Sequence, residues 1–321
     1  MHTIILQFFR GITGILFVFS GFVKLVDPQG SAYKFEEYFG GDVLNLEGLI
    51  PFALPFSIVL ILTELILGIA LLLGYRTKTT LWCLFGITTL FLCLTGYSAI
   101  FDKVTDCGCF GDAIKLTAWE TFYKNIIFLM LIVWMMIKHD QIKPLFSKNI
   151  TQPILIASVF SSLYVIYHVL TYLPLIDFRP YAIGKNIRAG MVYQEDGEIP
   201  PVHDFYLESE TDDLTDVILD APKAILMVAN HLEHVDGEAW KELIKLSNKA
   251  TDKGYLVYLL SSSSTALVSK TKEENTLPFD VLFCDGTTLK TMIRANPGIL
   301  GLHQGTVVFK ENWKNIKEIK W

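Results

Sequence analysis

The stretch FALPFSIVLILTELILGIALLLG, residues 52–74, decides the fold class of this chain. It is long and apolar enough to cross the hydrocarbon core of a bilayer as a helix, which takes about 20 residues. Its one ionisable side chain is Glu64, near the middle. Because an ionised, unpaired carboxylate at that depth costs at least about 2.5 kcal/mol, we expect Glu64 to be protonated, paired or solvated.

Four further stretches have the same apolar character, and they lie near residues 4–23, 80–100, 119–137 and 153–174. The whole chain of 321 residues is 51% hydrophobic and only 19% charged, whereas soluble domains carry about 25% charged residues. The sequence therefore predicts five transmembrane helices surrounded by membrane lipid. A net charge of −6 without a long basic run argues against a nucleic-acid partner.

The charges of the short loops predict the orientation, since cytoplasmic loops carry the excess of lysine and arginine. The basic residues between spans two and three and between spans four and five are Arg76, Lys78, Lys138, Lys143 and Lys148. The loops at 27–47 and 101–117 carry more carboxylates than lysines. We therefore expect a cytoplasmic N-terminus, outward-facing loops at those two places and an extracytoplasmic domain after span five.

The second of these outward loops contains DCGCFGD, residues 106–112. An oxidising compartment favours a disulfide between Cys107 and Cys109, and Gly108 supplies the backbone freedom that so short a bridge needs. A strained, exposed bridge is easily reduced, which suits thiol–disulfide exchange better than a structural role. The alternatives are plain loop residues or zinc ligands, although two cysteines alone make a poor zinc site.

Two segments of the first half resemble the DoxX and MauE membrane proteins. They are residues 9–38, which begin FRGITGILFVFSG, and residues 63–74 of span two. The loop DCGCFGD, followed by Trp119, Lys124 and Asn125, looks like the Cys-Gly-Cys-Phe-Gly pattern of the MauE branch. The resemblance covers residues 1–140. It implies a four-helix membrane bundle associated with thiol–disulfide redox in the bacterial cell envelope, and hence a place in the inner membrane with the outer domain in the periplasm.

The bundle is also similar in outline to vitamin K epoxide reductase, whose cysteines pass electrons to a quinone, although this chain lacks the Cys-x-x-Cys of that family. A quinone is therefore the one cofactor that the resemblance suggests.

Three more side chains are candidates for a role beside the loop. Cys93 lies in the outer half of span three, where it would relay electrons from the loop cysteines, but single cysteines in apolar helices more often behave as small hydrophobes. Lys124 and Asn125 open span four directly after the loop, and a nearby cation lowers the pKa of a thiol. We expect these two residues to stabilise a thiolate, with an interfacial anchor as the alternative.

Glu64 and Arg10 are the candidate intramembrane pair. Span one runs outward and span two runs inward, so Arg10, in the inner third of span one, is within reach of Glu64. We expect a contact that locks the bundle, with proton handling by Glu64 as the alternative. Lys24, at the outer end of span one, is expected to extend to the interface.

After span five the pattern changes to that of an α/β domain. Proline and glycine in residues 177–201 predict a linker. Within residues 202–321, β-rich runs at 203–208, 224–229, 255–260, 280–284, 299–302 and 306–309 alternate with helical patterns at 237–253 and 286–294. This alternation predicts a partly parallel sheet that ends in a hairpin. The predicted domains are thus the bundle at 1–140, a cytoplasmic loop and fifth span at 141–176, the linker, and the α/β domain.

The order of these elements, with Pro297 just before the final hairpin, resembles a thioredoxin-like fold, in which a cis proline stands at that place. In that family the redox cysteines follow the first central strand, whereas residues 230–237 read NHLEHVDG here. The resemblance implies a redox-inactive domain that binds a periplasmic or membrane protein.

The polar residues of this segment, His231, Glu233, His234 and Asp236, are weighed as metal ligands. Histidines three apart are not expected on the same side, and Asp236 is explained as a helix cap, so we assign no metal. Cys284 is predicted to be a buried strand residue, with exchange with the loop as the alternative.

Two functions from different classes are consistent with these features. In the first, the protein is an inner-membrane component of periplasmic thiol–disulfide redox or protein maturation, and Cys107 and Cys109 exchange with a partner. In the second, it is a non-enzymatic scaffold or assembly subunit of an envelope complex, and the outer domain docks the partner. The cysteine loop favours the first, and the missing thioredoxin pair favours the second.

Overall fold

Five of the described helices are long and apolar enough to cross a membrane, as the sequence predicts. In a computed structural model they are α1 (His2–Val26), α3 (Ala53–Leu73), α4 (Thr77–Phe101), α5 (Ala118–Ile137) and α6 (Lys148–Thr171), and the shorter α2 (Pro28–Phe39) follows α1. The structure describes residues 2–104, 108–193 and 199–319. The chain divides into two units, Met1–Leu170 and Thr171–Trp321.

Local sequence signals set the ends of these helices. Thr117 and Glu120 form a capping box at the start of α5: the Thr117 side chain accepts from the Glu120 N–H, and the Glu120 carboxylate accepts from the Thr117 N–H. Gly74 ends α3 in the left-handed region at φ +68°, which glycine adopts without steric cost. These caps place the turns at the ends of the hydrophobic runs.

The loop expected at residues 27–47 contains a helix instead. Asp27 caps α2 with its side chain, and Pro28 occupies the first turn, a position that suits proline. Ser57 Oγ of α3 donates a hydrogen bond to the Pro28 carbonyl at 2.9 Å. Because α2 is short and polar, its capping residues predict it better than its hydropathy does.

Glycines let α1 and α3 pack with their backbones in close contact. A Cβ atom on Gly68 would lie 2.9 Å from the Val18 nitrogen and 3.0 Å from the Gly14 carbonyl oxygen. One on Gly21 would lie 3.0 Å from the Leu65 nitrogen. Small residues are the usual means by which membrane helices approach this closely. These contacts fix the antiparallel register of the two helices.

The other spans pack on this pair through apolar and small side chains. Gly96 of α4 lies against the Phe122 ring of α5, where an added Cβ would come within 2.9 Å of a ring carbon. Ile166 of α6 joins Ile61 and Leu65 of α3 in a buried apolar cluster. The fifth span is therefore a packed part of the membrane unit.

The C-terminal unit is built on a sheet of five described strands. They are β1 (Ala224–Val228), β2 (Leu256–Ser261), β3 (Asp280–Phe283), β4 (Gly298–His303) and β5 (Thr306–Asn312). The helices of this unit are α7 (Ile187–Gly190), α8 (Thr215–Asp220), α9 (Gly237–Thr251), α10 (Thr265–Asn275) and α11 (Gly286–Met292). The spatial order is β3-β2-β1-β4-β5. The first three strands in the chain run parallel, and β4 and β5 form the predicted antiparallel hairpin.

Both faces of the sheet are covered. Leu226 and Val228 of β1 belong to the apolar cluster on one face, and Ile225 and Met227 belong to the cluster on the other, together with Trp240 of α9. A strand buried on both faces reads as a continuous apolar run in sequence, which is why β1 is easily predicted.

The structure differs from the predictions at several places in the C-terminal unit. Residues 203–208 are predicted as a strand, but Glu208 makes only isolated bridges, although Phe205 and Leu207 are buried. An alternation of buried and exposed side chains therefore does not require the continuous backbone hydrogen bonds of a β-sheet. Helix α10 lies outside the predicted elements because its sequence, TALVSKTKEEN, is polar and weakly periodic.

The described part of residues 177–201, predicted as a linker, belongs to the C-terminal unit instead. Tyr181 and Ile187 are buried in its core, and Asn186 Nδ2 donates to Thr306 Oγ1 of β5 at 3.0 Å. Proline and glycine correctly indicate irregular backbone, but that backbone packs onto the sheet rather than spanning solvent.

A buried cluster of charged side chains connects Asp177 and Arg179 to β5. Asp177 Oδ1 accepts from Arg179 Nε at 2.7 Å, and its Oδ2 accepts from Lys310 Nζ at 2.6 Å. Burial opposes ionisation of Asp177, but the two cations outweigh it and hold the pKa of that carboxyl below its ordinary value. Burial and the nearby Arg179 charge lower the pKa of Lys310 to about 8.

Gly68→Ala tests the close packing of α1 and α3. The added methyl group would meet backbone atoms, which cannot rotate away, so we expect a loss of about 1–3 kcal/mol of stability. Thermal unfolding of the purified protein in detergent measures it. Gly86→Ala of α4 is the matched control, because nothing lies within 4 Å of its added Cβ. Equal melting temperatures for G68A and the unmutated protein would contradict the packing.

From the cluster of Asp177, Arg179 and Lys310 we predict that the C-terminal unit becomes more stable as the pH rises above about 8. Lys310 loses its proton near pH 8 when folded but near 10.5 when unfolded. The unfolded state binds more protons between these values, so stability rises with pH through that window, by up to about 3 kcal/mol. Urea unfolding of the full chain, followed by pulse proteolysis, measures it. Lys310→Met should abolish the gain and the exposed control Lys241→Met should keep it; a flat profile in the unmutated protein would refute the assignment.

Candidate functional site

A buried ion pair joins α1 and α3 inside the membrane unit. Lys24 Nζ lies 2.9 Å from Glu64 Oε2 and 3.2 Å from Oε1, and the two residues are only 4% and 2% exposed. Each charge offsets part of the cost of taking the other out of water. Glu64 is therefore paired, which is one of the three states that its depth allows.

The same ammonium group holds the cysteine loop. Lys24 Nζ donates to the carbonyl oxygen of Cys109 at 2.6 Å and to Ser20 Oγ at 2.7 Å. Ser20 Oγ in turn donates to the Cys109 carbonyl at 2.7 Å. An ammonium group has three N–H donors, and Glu64, Ser20 and Cys109 provide acceptors for all three. The loop backbone is thereby attached to the charge pair.

Glycine and phenylalanine shape the described part of the loop. Gly108 has φ +63° and Gly111 has φ +51°, in the left-handed region that glycine adopts freely. Phe110 is 7% exposed, and its ring centroid lies 5.7 Å from that of Phe19 on α1. Cys107, the other predicted exchange residue, lies outside the described residues.

A cavity of about 40 Å³ lies beside the loop. Its polar lining residues are Ser20, Glu64, Thr88, Cys109, Lys124 and Asn125. The structure thus brings Lys124 and Asn125 to the same cavity as Cys109, where the sequence predicts them to act. Lys124 Nζ lies 4.5 Å from the centroid of the Phe110 ring, and Asn125 Nδ2 donates to Thr95 Oγ1 at 3.3 Å.

Thr88 brings a hydroxyl group without a protein partner to this cavity. The residue is 2% exposed, and its Oγ1 has no hydrogen-bond partner among the described residues. Buried hydroxyls nearly always have a partner, and a cavity of this volume has room for ordered water. The cavity is therefore suited to hydration at a point where the loop, the ion pair and α4 meet.

The predicted contact between Glu64 and Arg10 is wrong. Arg10 Nε donates to the Leu71 carbonyl at 2.8 Å, and its guanidinium also donates to the Leu72 carbonyl. Arg10 thus binds carbonyls in the last turn of α3, of which that of Leu71 also accepts from the Gly74 N–H at 3.1 Å, and its positive charge suits the C-terminal end of the helix. Since Arg10 and Lys24 stand about four helical turns apart on α1, the antiparallel register lets only Lys24 meet Glu64.

The described cysteines outside the loop do not support a role in exchange with it. Cys83 and Cys93 are exposed on α4 and do not line the cavity, so the relay through Cys93 gains no support from the described residues. Cys284 follows β3 and is fully buried, and burial together with the Asp285 charge raises the pKa of its thiol to about 12. A thiol that stays protonated is a poor nucleophile, as expected of a structural residue.

A second polar cluster lies where β1 ends and α9 begins. His231, Glu233 and His234 are exposed, and their candidate ligand atoms all lie within 4.8 Å of one another. The prediction that these histidines lie on different sides is wrong. The segment Leu232–His234 forms a 3₁₀ turn, and such a turn aligns side chains three residues apart.

The neighbouring residues hold this turn in place. Asp236 caps α9, as predicted, by accepting from the Glu238 N–H at 2.8 Å. Asn296 Nδ2 donates to the His231 carbonyl at 2.8 Å, and Asn296 Oδ1 accepts from the His231 N–H at 3.3 Å. The peptide bond from Asn296 to Pro297 is cis, as the thioredoxin resemblance implies.

The sequence predictions missed the contributions of Lys24, Ser20 and Thr88. By its position at the end of a span, Lys24 resembles an interfacial lysine. A signal was nevertheless present: Lys24 follows Gly21 by three residues and Ser20 by four, so the three share one face of α1. The glycine marks that face as the one that packs on span two.

These features define a class of protein: a multi-pass membrane protein with a buried ion pair at a cysteine loop, followed by a thioredoxin-like α/β domain. Residues 2–138 match the family model of methylamine utilisation protein MauE. The membrane unit is MauE-like over that range, in agreement with the resemblance of its sequence. A comparison with curated proteins found no match.

A solved crystal structure of a thioredoxin-like protein from Bacteroides caccae is similar at 13% identity, with a TM-score of 0.29 over 86% of this chain and 84% of that chain. A TM-score this low supports no argument. The thioredoxin-like character of the C-terminal unit rests instead on its strand order, its crossover helices and Pro297 before β4.

Glu64→Gln tests the role of the ion pair. The variant leaves the Lys24 ammonium buried without its counter-ion, so we expect a loss of about 3–5 kcal/mol of stability, measured by thermal unfolding in detergent. Glu37→Gln is the control, because Glu37 forms an exposed ion pair with Lys34, and such pairs contribute at most about 1 kcal/mol. If E64Q unfolds at the same temperature as E37Q, the pair has no structural role.

Proposed function

We propose that this protein is a bacterial inner-membrane component of thiol–disulfide exchange or protein maturation in the cell envelope, with Cys107 and Cys109 as the exchange pair. The observation that carries the proposal is the hydrogen bond from Lys24 to the Cys109 carbonyl. Through it, a charge pair that is costly to bury in a membrane is used to position a cysteine loop. The anchor holds the Cys109 backbone at the wall of the polar cavity.

The proposed reaction is an exchange of two electrons and two protons with a partner protein. A thiolate of the loop attacks the partner's disulfide, which forms a mixed disulfide and releases one partner thiolate. The second loop thiolate then displaces the remaining partner sulfur. The loop ends as a disulfide and the partner as a dithiol, and the reverse direction restores both.

The surroundings of Cys109 suit this chemistry. Lys124 and Asn125 line the same cavity, and a nearby cation stabilises a thiolate relative to the thiol. The cavity also borders the Glu64 carboxylate, and ordered water there would offer a route for protons. In this proposal Lys124 assists the thiolate, and the Lys24 and Glu64 pair positions the loop.

Thiol–disulfide exchange between two proteins needs no further cofactor, because the partner's disulfide or dithiol accepts or supplies the two electrons. The proposal therefore draws its oxidising or reducing equivalents from the partner's disulfide or dithiol and assigns no quinone site.

The proposal places the N-terminus in the cytoplasm and the C-terminal domain in the periplasm. Arg76, between α3 and α4, and Lys78, in the first turn of α4, support this orientation together with the lysines between α5 and α6, because cytoplasmic loops carry the positive excess. The cysteine loop then faces the oxidising side of the membrane, where thiol–disulfide exchange takes place.

A scaffold or assembly role is the second candidate, and the C-terminal domain favours it. The turn after β1 has no cysteine at residues 230–236, and the thiol of Cys284 is buried and unreactive. In this reading the domain binds an envelope protein without changing its disulfides, and the cysteine loop is structural.

Differential alkylation in intact cells separates the two functions. The background is Cys83→Ser with Cys93→Ser, which removes the exposed cysteines of α4 and leaves the loop pair and buried Cys284. A membrane-impermeant, mass-shifting maleimide is added with and without prior reductant. We expect two labels per chain after reduction, fewer before it, and none when Cys107 and Cys109 are also serine.

Labelling that is complete without reductant, in growing cells and after an oxidant alike, would overturn the redox proposal and leave the scaffold. So would trapping experiments in which neither single loop variant, Cys107→Ser or Cys109→Ser, forms a mixed disulfide with any envelope protein. Labelling only after the cells are opened would instead overturn the proposed orientation.

A further inference from the structure

We propose that His231, Glu233 and His234 form a surface site for a divalent transition-metal ion of the zinc type. The site stands on the C-terminal domain and does not rest on the proposed function of the cysteine loop. Among the residues that the structure describes, these three form the group whose candidate ligand atoms converge, all within 4.8 Å of one another.

The ligand set is chemically suited to such an ion. Two imidazoles and one carboxylate are the protein ligands of several catalytic zinc sites, in which the fourth position is open to water. Imidazole favours zinc, copper, nickel and cobalt over magnesium and calcium, which prefer oxygen ligands alone. Glu233 also supplies a negative charge that partly neutralises the ion.

The distances require only small movements to close around an ion. Ligand atoms about 2.0–2.1 Å from a tetrahedral zinc are about 3.3 Å from one another. His231 Nδ1 already lies 3.5 Å from Glu233 Oε1, and the two imidazole centroids are 5.6 Å apart. All three side chains are exposed, so they are free to rotate toward a shared ion.

The backbone beneath the ligands is held before any ion arrives. Leu232, between the ligands, is 4% exposed and packs into the domain core, which turns its neighbours outward. Asn296 hydrogen-bonds both the N–H and the carbonyl of His231. A fixed backbone lowers the entropy cost of ordering the ligands, and this favours binding.

The place of the site in the fold gives it access to a partner. It lies at the C-terminal end of β1 and at the start of α9, where a thioredoxin-like domain with redox activity would carry its cysteines. An ion held by three protein ligands keeps a coordination position for water or for a ligand atom of another molecule. The site therefore offers the domain a chemistry that does not need cysteine.

Metal binding by the full chain tests the site. The protein is purified in detergent without a polyhistidine tag and in a Cys107→Ser, Cys109→Ser background, so that neither the tag nor the loop thiols bind metal. Zn²⁺ is titrated by calorimetry, and Co²⁺ by the visible absorption bands that report its coordination. We expect one ion per chain, and a Kd at least about tenfold higher in His234→Ala and in Glu233→Gln.

His303→Gln is the matched control, because His303 is an exposed histidine of the same domain outside the cluster. It should bind as the parent protein does. Absence of binding in the parent, or an equal Kd in H234A and H303Q, would overturn the proposal. Because the loop cysteines are absent from this background, neither outcome depends on whether the loop exchanges disulfides.

Discussion

An ammonium group and a carboxylate between two membrane helices stabilise each other when they form a pair, because each offsets part of the other's desolvation cost. Lys24 and Glu64 meet this condition through the glycines of α1 and α3, which bring the two backbones together and fix their register. With Glu64 as its counter-ion, Lys24 still has donors for Ser20 and for the Cys109 carbonyl. The position of a loop far along the chain thus depends on how closely two earlier helices pack.

In both units the candidate functional residues lie on short turns, and buried neighbouring side chains hold these turns in place. In the membrane unit, Phe110 of the cysteine loop is buried while its neighbour Cys109 borders a polar cavity. In the C-terminal unit, Leu232 is buried while the histidines and Glu233 around it face outward. In both places an apolar side chain fixes the backbone, and the polar groups next to it remain available to a partner or a ligand.

Much of the fold could be predicted from the sequence, and the reasons differ by element. The membrane spans and β1 are continuous apolar runs, and burial on all sides requires such runs. Helices α2 and α10 and the packed segment after Asp177 escaped prediction, because they are polar or irregular and are held by caps, ion pairs and contacts distant in sequence. The candidate loop could be predicted from its cysteines and glycine. Its attachment to Lys24 could not be predicted.

The sequence by itself determined that Glu64 must be protonated, paired or solvated, since composition and length place it in a bilayer, where an unpaired charge is costly. It did not determine that Glu64 is paired or with which cation, because the choice between Arg10 and Lys24 depends on helix register. Register is a property of two packed surfaces rather than of either sequence segment alone. The same holds for His231 and His234, whose spacing is plain in the sequence but whose convergence depends on a 3₁₀ turn between β1 and α9. Only the tertiary structure decided both.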